Sequence, residues 1–135
     1  MTINQLKIQN LAPRGIRGTC VPTSICFVTG VSYQDVEYLL VREQPKLYRP
    51  EIRGNRGVDT GALLGRQRTM FGHRFILVPI EGCTLMYILS KFSVGTYLVH
   101  VNGHVLVVKD GEVYDLVNTN MATKVVNVWK VEKVS

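Results

Sequence analysis

The chain has no apolar run of 18 residues, so no membrane-spanning helix is expected. Its start, MTINQLKIQNL, lacks the basic segment followed by a long apolar one that marks a secretory signal. The cytoplasm is the expected compartment. There is no CxxC pair, and the cysteines number three: Cys20, Cys26 and Cys83. An odd count without paired spacing disfavours both a disulfide framework and a structural zinc site. Free thiols in a reducing compartment are the simpler expectation. No repeat, low-complexity tract or long linker divides the 135 residues, so residues 1–135 are expected to form one domain with a real core. Acidic residues are scarce, 10 against 16 Lys and Arg, for a net charge of +6. Arginine is absent after Arg74, and six of the nine present fall from Arg42 to Arg68. A basic half suits an acidic partner, but ordinary solvated surface explains it as well. No aromatic stacking pattern interleaves these arginines and no nucleic-acid motif is present, so nucleic acid is not the favoured partner.

What is present is a globular composition, 46% apolar and 19% charged. The alternation Leu6-Lys7-Ile8 predicts a short edge strand. Pro13 to Thr19 predicts a loop, and a helix begins near Cys20. Pro22 fits its first turn, where a missing N–H costs nothing, and Gly30 ends it. Ile25, Phe27 and Val28 are expected to face inward. Ser32 reads as the cap of a helix from Tyr33 to Glu43, with Val36, Leu39 and Leu40 on its apolar face. Residues 46–57 predict a basic loop, and a third helix is expected from Asp59 to Phe71, closing at Gly72. Beyond it the pattern turns to strands: Arg74 to Ile80, Gly95 to Val101, His104 to Lys109, Glu112 to Val117 and Thr123 to Val131. Thr84 caps a short helix between the first two. Asp110-Gly111 is a strong two-residue hairpin signal. Helices first and an antiparallel sheet after make an α+β arrangement.

Cys20 stands where a polar loop becomes an apolar helix. A helix start offers free N–H groups and partial positive charge, both of which favour a thiolate. Such a nucleophile needs a proton partner, most often histidine. His73 is expected to be exposed after the third helix, and His100 to be packed or capping. His104 opens a strand whose hairpin partner carries an acid. With Asp110-Gly111 as the turn, Lys109 pairs with Glu112 and Leu106 with Asp115. His104 and Asp115 then share a face as diagonal neighbours, roughly 7–8 Å apart at the backbone. A carboxylate there can hold one imidazole nitrogen and leave the other for a thiol. Asn118 has the opposite parity. His100 with His104 makes a poor metal pair, because their spacing spans a turn and no third ligand is evident. No metal and no cofactor are called for.

The order Cys, His, Asp, with Cys heading a helix and His-Asp on a sheet, resembles the papain-like cysteine peptidase superfamily. Within it the chain is most similar to the double-glycine leader (bacteriocin-processing) peptidase-like group and to small phage and bacterial proteins of that kind. The resemblance lies in TCVPTSICFVTGVSYQDVEYLL and GTYLVHVNGHVLVVKDGEVYD, 43 of 135 residues. It implies a papain-like fold, with N-terminal helices packed on a C-terminal antiparallel sheet. It also implies Cys20 as nucleophile, His104 as general base and acid, and Asp115 as the orienting residue. The family usually carries a glutamine several residues before the cysteine as an oxyanion donor. Here Arg14 stands six before and Gln9 eleven before, with Asn10 as the candidate substitute. Lacking a side-chain donor of this kind costs about 100- to 1,000-fold in rate.

Two functions are thus expected. The first is a cysteine hydrolase of amide bonds acting on a peptide, an isopeptide linkage or a glutamine side chain, the last making it a deamidase. Its substrate would be a peptide or acidic protein recruited by basic residues such as Arg49, Arg53 and Arg56. If phage-encoded, it would work in the host cytoplasm. The second is a catalytically weak or inactive module of the same fold that holds an acidic protein or nucleic acid on its basic face. The missing glutamine favours the second, and the Cys20, His104 and Asp115 set favours the first. The sequence carries no signal for oligomeric state.

Overall fold

The structure is a computed structural model and describes residues 2–12, 19–48 and 58–134. Its elements run α1 (Ile3–Gln9), α2 (Cys20–Thr29), α3 (Tyr33–Glu43), α4 (Thr60–Leu64), β1 (Gln67–Met70), β2 (His73–Val78), α5 (Leu85–Lys91), β3 (Thr96–Val101), β4 (His104–Lys109), β5 (Glu112–Tyr114) and β6 (Val125–Lys133). The architecture is α+β. Six strands form one sheet in the order β1-β2-β6-β3-β4-β5, and every neighbouring pair is antiparallel.

Alternation along the strands divides the core between two faces. Leu98, Val105, Val107, Trp129 and Val131 pack with Ile8 of α1, Val21 and Ile25 of α2, Val36, Leu39 and Leu40 of α3, and Leu63 and Leu64 of α4. Their neighbours Val99, Leu106, Val108 and Val128 pack on the other face with Leu85 and Ile88 of α5. Among the described residues no helix is long and apolar enough to cross a membrane.

The expected helix boundaries at Gly30, Ser32 and Thr84 hold. Gly30 caps α2 at φ 75°, and its N–H bonds the Cys26 carbonyl at 2.8 Å. Ser32 caps α3 by accepting from the Asp35 N–H, and Thr84 caps α5 by accepting from the Tyr87 N–H. On α2, Ile25 is fully buried, whereas Phe27 and Val28 are only half-buried.

Other expectations fail. Leu6 to Ile8 belongs to helix α1, started by a capping box in which Thr2 and Gln5 satisfy each other's backbone N–H groups. The expected helix from Asp59 to Phe71 stops at Leu64. Gly65 follows at φ 59°, ψ −146°, a conformation that breaks the helix. The remaining residues form the β1–β2 hairpin, whose turn, Phe71 and Gly72, holds φ at 54° and 72°. His73 therefore opens strand β2, half-buried, instead of trailing a helix. Strand β5 is also shorter than expected, ending at Tyr114.

Candidate active site

Helix α2 presents Cys20 as its first residue. Pro22 sits in that first turn, where N–H groups have no partner within the helix. The cap residue, Thr19, makes no side-chain bond to the helix start. The helix is held over β4 and β5 by its apolar side, including Phe27, whose ring centroid lies 4.5 Å from that of Tyr114. Cys20 remains half-exposed, while Cys26 and Cys83 are buried. Burial pushes the Cys26 thiol up to about 11, well away from a reactive state.

Two hairpins place the other residues. The β3–β4 hairpin pairs Val101 with His104 and so sets His104 as the first residue of β4. The β4–β5 hairpin has Asp110 and Gly111 at its turn, with φ at 50° and 77°, as a two-residue turn of primed type requires. Its register is Lys109 with Glu112 and Val107 with Tyr114. The next residue, Asp115, lies beyond the strand on the parity of His104. The expected diagonal approach occurs: His104 Nε2 is 2.6 Å from Asp115 Oδ1.

Asp115 is 3% exposed and its carboxylate is surrounded by donors. Oδ1 also accepts from the Val117 N–H at 3.2 Å, and Oδ2 accepts a short hydrogen bond from the Thr119 hydroxyl. Burial pushes the carboxyl up, but the bonds from His104 and Thr119, the imidazolium charge and the Val117 N–H outweigh it and hold Asp115 below its ordinary value. On His104, burial opposes the charged ring. The hydrogen bond and charge of Asp115, together with the neighbouring Cys20, prevail and push His104 up to about 9. With Nε2 given to Asp115, Nδ1 is the nitrogen left for the thiol. Cys20, His104 and Asp115 thus meet in one place, with an imidazolium between two groups that bear negative charge when ionised.

Asn10 is the exposed C-cap residue of α1. Arg49, Arg53 and Arg56, and Arg14 before the cysteine, lie outside the described residues. His100 is half-buried, near-stacked on Trp129 and paired with Asn127 at 3.5 Å, and its burial lowers its pKa. Asn118 is exposed. The structure adds the Val117 N–H and Thr119 to the site. The aspartate itself signals the first, since Asp side chains commonly bond a backbone N–H two residues on, but no local signal marks Thr119. Among the described residues no three His, Cys, Asp or Glu side chains group as metal ligands. A cavity of about 220 Å³ adjoins Asp115, lined also by Asn4, Asn118, Thr119 and Met121. A larger one, about 510 Å³, lies between the end of α3 and α4 and includes none of the three site residues.

Compared with protein-family models, curated proteins and solved structures, the chain gives no match.

Proposed function

We propose that this protein is a cysteine-dependent hydrolase of amide bonds in a peptide or protein, built on a papain-like fold. The observation that carries the reading is the buried Asp115–His104 hydrogen bond beside a half-exposed cysteine at a helix start. On this reading Cys20 gives its proton to His104 before attack. The thiolate attacks the amide carbonyl carbon, forming a C–S bond and a tetrahedral oxyanion. On this reading the backbone N–H groups at the start of α2, that of Cys20 among them, donate to the forming oxyanion. The imidazolium gives its proton to the leaving nitrogen as the C–N bond breaks. Neutral His104 then takes a proton from water, which attacks the thioester and releases the acid. Asp115 keeps the ring oriented and favours its charged form throughout. Peptide, isopeptide and glutamine side-chain amides all fit this chemistry.

The test is the rate of iodoacetamide alkylation of each cysteine against pH, read by mass spectrometry, in wild type and His104→Ala. Cys20 should react at pH 6 far faster than Cys26 and Cys83, and should lose that advantage without His104. A Cys20 that ignores His104 across the range sinks the hydrolase reading.

A further inference from the structure

We propose that Thr119 is a positioning residue of this site: by holding Asp115 Oδ2, its hydroxyl keeps Oδ1 on His104. The catalytic meaning of this role rests on the hydrolase reading, while the relay itself is a property of the fold.

The terminal torsion of an aspartate is soft and roughly two-fold, so a carboxylate with one free oxygen can rock between acceptor geometries. Asp115 has no such freedom. His104 Nε2 and the Val117 N–H both address Oδ1, at 2.6 Å and 3.2 Å, and among the described residues Thr119 alone addresses Oδ2. At 3% exposure, little water is available to replace a lost donor. Asp115 follows β5, so no further strand pairing holds its side chain. The turn from Asp115 to Val117 carries the chain round to bring Thr119 back onto the carboxylate. The direction of the carboxylate sets the tilt of the imidazole, and that tilt decides whether Nδ1 points at Cys20. Thr119 therefore acts on the thiol through two hydrogen bonds without touching it. The hydroxyl donates its proton to Asp115, and the ionised carboxylate is the stronger acceptor for it.

Thr119 is half-buried and lines the cavity of about 220 Å³, so small side chains fit in its place. The experiment uses the full chain as wild type, Thr119→Val, Thr119→Ala and Thr119→Ser. Imidazole NMR follows the titration of His104, alkylation follows Cys20, and thermal melting reports folding. In folded Val and Ala variants the His104 midpoint should fall by about one pH unit, as expected when a carboxylate loosens its hold on a histidine. The pH profile of Cys20 alkylation should move with it, and serine should restore both. Alanine keeps the test open if the branched valine disturbs the loop. A His104 midpoint that is unmoved or raised in the folded variants overturns the proposal. Failure of the hydrolase reading shows separately, as wild-type Cys20 alkylation indifferent to His104→Ala, and the NMR midpoint still decides the relay.

Discussion

His104 Nε2 and Asp115 Oδ1 lie 2.6 Å apart across a hairpin whose turn is only Asp110 and Gly111. Both side chains are shielded, with 19% and 3% of their surface exposed, so the pair is one of charge as well as hydrogen bonding. Asp115→Asn separates the two contributions, because an amide oxygen still accepts from the ring but carries no charge. The His104 midpoint, about 9 in wild type, should fall by about one to two units in Asn and at least as far in Asp115→Ala. Imidazole NMR reads it directly. A midpoint that stays near 9 in both variants shows that Asp115 does not hold the proton on the ring.

The same pair links stability to pH. His104 is raised from an ordinary 6.5 to about 9 in the fold, so its contribution is fully present below 6.5 and is lost as pH rises through 9. Asp115 is lowered from 3.8, so its contribution is present above 3.8 and is lost as pH falls through its folded value. Both are therefore present between 3.8 and 6.5. Urea unfolding of wild type should show stability declining from pH 6.5 to 9 relative to His104→Gln, by up to about 3 kcal/mol. A gap between the two proteins that stays constant or widens over that range contradicts the linkage.

Gly65→Ala tests why α4 ends where it does. At φ 59°, ψ −146° only glycine is at ease, and nothing stands within 4 Å of an added Cβ. The penalty is therefore backbone strain, about 1–3 kcal/mol. The Gly65 carbonyl also accepts from the Trp129 indole at 2.9 Å, so the strain should reach the core. Urea unfolding measures the loss, and blue-shifted or quenched Trp129 emission follows the indole. An alanine variant as stable as wild type rules out strain at this position.

Helix α1 should matter through one side and not the other. Ile8 is fully buried, and Asn4 ties the helix to β5 through a 3.0 Å bond to the Val113 carbonyl. Ile8→Ala should cost about 2–5 kcal/mol. Ile3, 72% exposed, should tolerate alanine within about 0.5 kcal/mol. Equal costs at the two positions show that α1 does not dock as described.

Local chemistry was legible wherever one or two residues decide a conformation. Gly30 and Ser32 mark the junction of α2 and α3, and Asp110-Gly111 sets the hairpin register from which the nearness of His104 and Asp115 follows. The capping box of Thr2 and Gln5 is written in the sequence as well, and it decides the start of α1 over the three-residue alternation Leu6-Lys7-Ile8. Residues 66–70 carry no decisive period of either kind. Their strand exists because β2 offers a partner, and β2 is itself held by β6, whose pairing joins Phe75 to Val131 and Leu77 to Trp129.

The sequence by itself determined the local geometry: a cysteine at a helix start, a histidine at a strand start and an acid on the parity of that histidine. Backbone sterics and hydrogen bonding within a few residues suffice for that. Only the tertiary structure decided that Cys20 comes to His104, which is 84 residues away in the chain. That meeting depends on α2 burying its apolar side against β4 and β5, a choice made by packing across the whole core. The clamp of Thr119 on Asp115 is of the same kind: a hydroxyl gains its role when a fold removes the water that would otherwise serve.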